Sequence, residues 1–110
     1  MALDESTFQA VADQTLLAYM QAIEDALGDA LEVDLRDGIL TLELESGAKY
    51  VINKHAPNRQ IWMSSPVSGA SHYSYDPDRG QWLSTRGGGT LAAILEAELA
   101  RATGAPLTLD

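Results

Sequence analysis

The chain of 110 residues contains no cysteine. It therefore cannot form disulfides, thiolate metal sites or a cysteine nucleophile, and it cannot ligate an iron–sulfur cluster through its own thiolates. No apolar run approaches the about 20 residues that a membrane span requires. The N-terminus, Met1–Glu5, has neither a basic n-region nor an Arg-rich transit character. We expect a soluble intracellular protein of one domain, residues 1–110, with no membrane partner.

Basic residues are also scarce. Seven Lys and Arg stand against 16 Asp and Glu, which gives a formal net charge of −9. Arg36 is the single base among the first 48 residues, where most of the acids lie. This acidic N-terminal part of the chain would repel nucleic acid and attract cations or a basic protein surface. The alternative is that the acidic surface only aids solubility.

The periodicity predicts an α+β fold. Residues 4–27 read as a helix that Asp4 or Ser6 can cap, and residues 90–103 read as a second helix that Thr90 begins and Gly104 ends. Between them lie about six alternating segments joined by short turns, of which Asp37-Gly38 is a strong hairpin signal. The two predicted buried stripes comprise Phe8, Val11, Ala12, Thr15, Tyr19, Ile23 and Leu27 on the first helix, and Leu91, Ile94, Leu95, Leu99 and Ala102 on the second. We expect a two-layer α/β sandwich with both helices on one face of an antiparallel sheet.

The segment Gln60–Pro66 contains an aromatic residue on the polar side of a strand. Successive side chains of a strand point to opposite faces, so Ile61 and Met63 should face the core while Trp62 points outward. A large aromatic on a rigid polar sheet is an anchor that protein partners use. The alternative is that Trp62 lies half covered by its own cross-strand neighbours.

No catalytic motif is present. The two histidines, His55 and His72, stand in no recognisable relation to a serine and an acid, and the Gly87-Gly88-Gly89 run lacks the lysine of a phosphate loop. Carboxylates are the remaining candidate ligands. A continuous acidic ridge is possible, made of Asp13, Glu24, Asp25, Asp29, Glu32 and Asp34. Oxygen ligands suit hard cations, and binding to such an open ridge would be shallow and weak, but a merely solvated acidic face is the alternative.

Several segments of the chain form a recognisable set of motifs. The most specific is the string Asn-Lys-x-x-Pro-Asn-x-Gln-Ile-Trp-x-Ser-Ser-Pro at residues 53–66, and the others include Leu3–Phe8, Asp37–Thr41 and Trp82 followed by Thr90-Leu91. Together these segments resemble the frataxin family. The resemblance is collinear from about residue 3 to residue 109 and is closer to the mitochondrial branch, while the alanine-rich composition is typical of bacteria. It implies the sandwich described above, in the bacterial cytoplasm, or in the mitochondrial matrix if the chain is a processed eukaryotic protein.

The resemblance also implies a function and its sites. A frataxin binds iron (Fe²⁺ or Fe³⁺) weakly and docks on a cysteine desulfurase and scaffold protein to regulate iron–sulfur cluster assembly. It is a monomer, with an iron-dependent oligomer as an option. Carried over by position, the metal candidates are Asp4, Glu5, Asp13, Glu24, Asp25 and Glu32. The partner-binding candidates are Asn53, Lys54, Gln60, Trp62 and Ser64.

Two observations bear on these expectations. Gln9, Gln14 and Gln21 stand where acidic relatives often carry carboxylates, so we expect fewer or weaker iron sites. The enzyme alternative, a ferroxidase and iron-storage protein, needs carboxylates that bridge two irons. The paired-glutamate and Glu-x-x-His motifs that do so in ferritin-like bundles are absent from the sequence. We therefore favour a binding and regulatory protein over an enzyme.

Overall fold

The computed structural model describes residues 3–109 as two helices packed on one six-stranded sheet. Asp4 caps the first helix, since its side chain accepts the backbone N–H of Thr7. Thr90 caps the second in the same way by accepting from Ala93. The elements are α1 (Glu5–Leu27), β1 (Leu31–Arg36), β2 (Ile39–Leu44), β3 (Lys49–His55), β4 (Gln60–Ser65), β5 (Gly69–Asp76), β6 (Gln81–Ser84) and α2 (Leu91–Thr103), with a short 3₁₀ turn at Ala56–Asn58.

The sheet is an antiparallel meander whose spatial order, β1-β2-β3-β4-β5-β6, equals its order along the chain. Asp37 and Gly38 both have positive φ, 54° and 76°, as the two-residue turns that best match strand twist require. The predicted α+β sandwich and its hairpin are thereby confirmed.

One core lies between the helices and the sheet. Phe8 packs edge-on against Trp82 with ring centroids 6.1 Å apart, and the Trp82 indole donates to Thr15 Oγ1 at 3.0 Å. Two details of the predicted stripes are wrong: Leu16 is fully buried although it was not assigned to the core, and Ala102 is exposed. Leu107, beyond α2, adds a further buried side chain. No helix formed by residues 3–109 is long and apolar enough to cross a membrane.

Candidate functional site

The face of the sheet opposite the helices carries four of the predicted partner residues. Ile61 and Met63 are buried in the core, so the alternate residues of β4, Gln60, Trp62 and Ser64, lie on the other face. Asn53 of β3 is the cross-strand partner of Trp62 and shares that face. We call this surface the outer face. The prediction that Trp62 points outward is confirmed.

Trp62 does not stand free on the outer face. His55 stacks on the indole from β3 at 3.6 Å between ring centroids, with 9° between the planes, and His72 stacks from β5 at 4.2 Å and 15°. Since β3 and β5 flank β4, the two imidazoles cover opposite sides of the ring. The indole N–H donates to Gln60 Oε1 at 2.8 Å. Trp62 is therefore half-buried and held in one orientation, with its edge, and not a flat face, turned toward solvent.

The alternative that Trp62 is half covered by cross-strand neighbours is thus also correct. The sequence indicated two surface histidines and gave no sign that they stack on Trp62. The strand register explains the arrangement: His72 is directly opposite Trp62, whereas His55 is the diagonal neighbour beyond Asn53. The Nδ1 atom of His55 is buried and has no hydrogen-bond partner among residues 3–109.

Lys54 lies on the other side of the sheet, which differs from its expected place beside Trp62. It is directly opposite the buried Ile61, so it shares the face that carries the helices. Its ammonium reaches α1 and lies 2.7 Å from Asp13 Oδ1. Alternation explains the difference, since Lys54 is two residues after the buried Ile52. Lys54 therefore contacts the acidic helix and not the outer face.

The six metal candidates are spread along α1 and β1. With a rise of 1.5 Å per residue, Glu5 and Glu24 are about 28 Å apart, and Asp13 is about 16 Å from Glu24. The Asp4 carboxylate accepts the backbone N–H of Thr7, and this bond lowers its pKa. Among residues 3–109 no three Asp, Glu or His side chains lie close enough together to hold a metal ion. The six candidates therefore do not form one enclosed site.

Four acidic residues line one shallow groove near the end of α1. This groove, here called the acidic groove, is lined by Glu24, Glu32, Asp34 and Glu43 together with apolar and neutral residues. Glu32 and Glu43 are direct cross-strand partners, a like-charged pair that destabilises a sheet unless a cation compensates it. Lys49 of β3 is the cross-strand partner of Glu43 on its other side. Sequence reasoning missed Glu43, although its alternation with Leu42 and Leu44 placed it on the same face as Glu32.

A second group that the sequence did not indicate joins α2 to the end of β4. Glu98 accepts hydrogen bonds from Tyr50, Ser65 and Ser68 at 2.9, 2.6 and 2.7 Å. Burial and the bond to Glu98 raise the pKa of Tyr50 to about 12. We call these four residues the Glu98 network. It connects the helix layer to the turn that follows the Trp62 strand.

Comparison with known proteins agrees with the fold. A family model described as a frataxin-like domain matches residues 1–105. The chain has the two-helix, six-strand frataxin fold, and it belongs to the frataxin family.

Individual relatives cover the chain closely. It is 40% identical to the mitochondrial frataxin of Arabidopsis thaliana over 98% of this chain and 60% of that protein. It is 38% identical to the iron–sulfur cluster assembly protein CyaY of Thioalkalivibrio sulfidiphilus, over 94% of this chain and 96% of that protein. A trimeric frataxin from Saccharomyces cerevisiae, complexed with ferrous iron, superposes with a TM-score of 0.71 at 35% identity, covering 94% of this chain and 89% of that one. The chain thus spans less than two thirds of the plant relative and nearly all of the bacterial one.

Proposed function

We propose that this protein takes part in iron–sulfur cluster assembly by docking on a complex of a cysteine desulfurase and a scaffold protein. Membership of the frataxin family supports the pathway, since bacterial relatives such as the CyaY of Thioalkalivibrio sulfidiphilus are named for it. The mechanism is recognition and regulation. In this proposal the reaction steps of cluster synthesis belong to the partners, and a ferroxidase and iron-storage protein remains the alternative.

The fixed orientation of Trp62 is the observation that carries the proposal. Two stacked imidazoles and the bond to Gln60 hold the indole in place before any partner arrives. A partner that contacts it does not have to order a free side chain, which lowers the entropic cost of binding. Asn53, Gln60 and Ser64 surround the ring with amide and hydroxyl groups on a face that no helix covers. This is the composition of a docking surface with an aromatic anchor and polar neighbours.

The acidic half of the chain supports a basic partner surface and weak iron binding. In the acidic groove, Glu24, Glu32, Asp34 and Glu43 concentrate negative charge at one edge of the sheet, which would speed encounter with a positively charged partner. Their oxygen atoms suit iron, which we treat as cargo. Binding would be weak, because the carboxylates are exposed and a hydrated ion could be held by only a few of them. Asp4 and Glu5 would form a separate, still weaker position.

The oligomeric state and compartment follow the same proposal. We propose a monomer that docks as a single copy, with iron-dependent assembly as the alternative, since the yeast relative is trimeric. Relatives of both the bacterial and the mitochondrial kind match the chain. We propose the bacterial cytoplasm as its compartment, or the mitochondrial matrix for a processed chain.

Docking can be tested with Trp62→Ala in a pull-down with the cognate desulfurase–scaffold complex, together with the rate of cluster synthesis. We expect the variant to fold and to lose about tenfold or more in affinity, as anchor residues do. Leu17→Ala is the matched control. Leu17 is also an exposed hydrophobic residue, 45% accessible, but it lies on α1. Unchanged binding and unchanged synthesis with Trp62→Ala would remove the outer face from the proposal.

A further inference from the structure

The turn between β4 and β5 exposes an apolar side chain just beyond the strand that carries Trp62. Val67 is 69% accessible, the most exposed of the large hydrophobic residues that the structure describes. The turn directly continues the Trp62 strand, because Ser64 pairs with Ala70 and Ser65 with Gly69, next to the pair of Trp62 with His72. Val67 therefore lies in the segment that directly follows the strand of Trp62.

This turn is held by an unusual number of side-chain hydrogen bonds. The hydroxyl of Ser65, which is 7% accessible, accepts the backbone N–H groups of both Val67 and Ser68, at 3.0 and 3.1 Å. The same hydroxyl donates to Glu98 Oε1 at 2.6 Å, while the hydroxyl of Ser68 donates to Glu98 Oε2 at 2.7 Å. Both carboxylate oxygens of Glu98 are thus engaged by the turn.

Glu98 is itself fixed from the other side. Tyr50, fully buried in the core, donates to Glu98 Oε1 at 2.9 Å. Hydrogen bonds to an ionised acceptor are roughly twice as strong as neutral ones. The chain from the buried phenol through Glu98 to Ser65 and Ser68 therefore gives the turn one conformation. A hydrophobic residue on an exposed turn usually has no such support, because loops are generally the mobile part of a domain.

We propose that the β4–β5 turn is a second contact with the partner that binds Trp62. In this contact Val67 enters an apolar pocket of the partner. Glu98 is the residue that positions Val67. This inference rests on the proposed function. The desulfurase–scaffold complex is the proposed partner of the turn, because the turn directly follows β4, the strand that carries Trp62. Fixing Val67 in advance has the same consequence as fixing Trp62: less side-chain and loop entropy is lost on binding.

The direct test replaces Val67 by Ser, which removes the apolar group from an exposed position, and measures the dissociation constant for the purified desulfurase–scaffold complex. We expect binding to weaken roughly five- to tenfold while the thermal midpoint stays unchanged. Leu17→Ser is the control, with a similar loss of exposed apolar surface on α1. Equal affinities for Val67→Ser and the unaltered protein would overturn the proposal.

The role of Glu98 is tested by a double-mutant cycle. If Glu98 acts by positioning Val67, Glu98→Ala weakens docking, and adding Val67→Ser causes little further loss. Amide exchange of Val67 and Ser68 should accelerate in Glu98→Ala, and Glu98→Gln, which keeps one acceptor oxygen, should restore part of the affinity. Glu96→Ala is the matched control on the same helix, since Glu96 accepts the backbone N–H of Leu109 at 2.6 Å, away from the turn. Additive effects of the two substitutions on the affinity would show that Glu98 acts on docking independently of Val67 and would overturn its positioning role.

Binding by Trp62→Ala and by Val67→Ser tests the outer face and the turn separately. If Trp62→Ala weakens docking and Val67→Ser does not, the turn is excluded and the outer face remains. If neither substitution changes binding, both the turn and the outer face are excluded. If Val67→Ser alone weakens docking, the turn is retained as a contact and Trp62 is removed as the anchor.

Discussion

Lys54 and Asp13 form an ion pair between β3 and α1, with 2.7 Å between Nζ and Oδ1. Asp13 is one of the six residues predicted to bind iron, and the ammonium of Lys54 already occupies one side of its carboxylate. A cation that approaches Asp13 must share the carboxylate with Lys54 or displace it. Asp13 therefore differs from the residues of the acidic groove in two ways: it lies far from them, and its carboxylate is paired with an ammonium.

Removal of the ammonium should strengthen cation binding at Asp13. We expect Lys54→Gln to lower the dissociation constant of Mn²⁺ at Asp13 about threefold to fivefold, because a unit charge about 4 Å away contributes about 1 kcal/mol in water. Paramagnetic broadening of the Asp13 amide during a Mn²⁺ titration measures it. Arg101→Gln makes the same change in net charge on the exposed surface of α2 and should leave that amide unaffected. Equal broadening in the two variants would rule out local competition.

The stacked imidazoles should determine how accessible Trp62 is. We expect His72→Ala to uncover one face of the indole and to lower the free energy of unfolding by about 1 kcal/mol, the range of a stacked aromatic pair. The Trp62 Nε1–H resonance reports the change, since Trp82, the other tryptophan, is buried and bonded to Thr15. Thr41→Ala is the control, since Thr41 lies on the same face of the sheet but on β2, which β3 separates from the Trp62 strand. An unchanged Trp62 resonance would mean that the stack does not hold the ring in solution.

Stability should fall at high pH because of Tyr50. Burial and the hydrogen bond to Glu98 raise the pKa of Tyr50 from 10.0 to about 12 in the folded state, so the unfolded chain loses this proton first as the pH rises. The stability that depends on the protonated phenol is complete below about pH 10 and is lost as the pH rises through about 12. Urea unfolding on both sides of that window should show a loss of up to about 2 kcal/mol that Tyr50→Phe lacks. A parallel loss in the Phe variant would assign the effect to other groups.

The hydrogen bond between the Trp82 indole and Thr15 should matter for stability and not for docking. Thr15→Val keeps the shape of the side chain but leaves the buried indole N–H without its acceptor, at a cost of about 1–3 kcal/mol. Thr15→Ser, which retains the hydroxyl, should lose much less. Chemical denaturation measures both variants, and each should still bind the desulfurase–scaffold complex normally at temperatures where it is folded. Weakened docking by folded Thr15→Val would show coupling between the core and the outer face.

Local sequence patterns predicted the fold well, because each element depends on short-range chemistry. Alternation placed Ile61 and Met63 in the core and Trp62 outside, and Asp37-Gly38 specified a hairpin turn that the backbone angles confirm. The predicted buried faces of the helices were wrong at two positions, Leu16 and Ala102. For Lys54 the family resemblance indicates the outer face, whereas alternation from Ile52 indicates the helix side, where the structure has it.

The contacts within the candidate site could not be predicted in the same way. Glu98 and Ser65 are 33 residues apart, and no local period relates α2 to a turn of the sheet. The stack of His55, Trp62 and His72 depends on the register of three strands, which one residue of slip would destroy. Long-range partners are fixed by the assembled topology, and so the stacking of His55 and His72 on Trp62 is seen only in the structure.

The meander has a consequence for how the chain acquires its structure. Every strand pairs with its neighbour in sequence, so the sheet can form from local hairpins at small loop-closure cost. The packing of α1 depends on distant residues, because Phe8 and Thr15 contact Trp82, which lies more than half of the chain length further on. During synthesis on the ribosome the apolar stripe of α1 therefore emerges well before its covering layer. The nascent helix is the segment that chaperones would protect, and substitutions that enlarge its apolar stripe should lower the yield of folded protein before they affect the finished molecule.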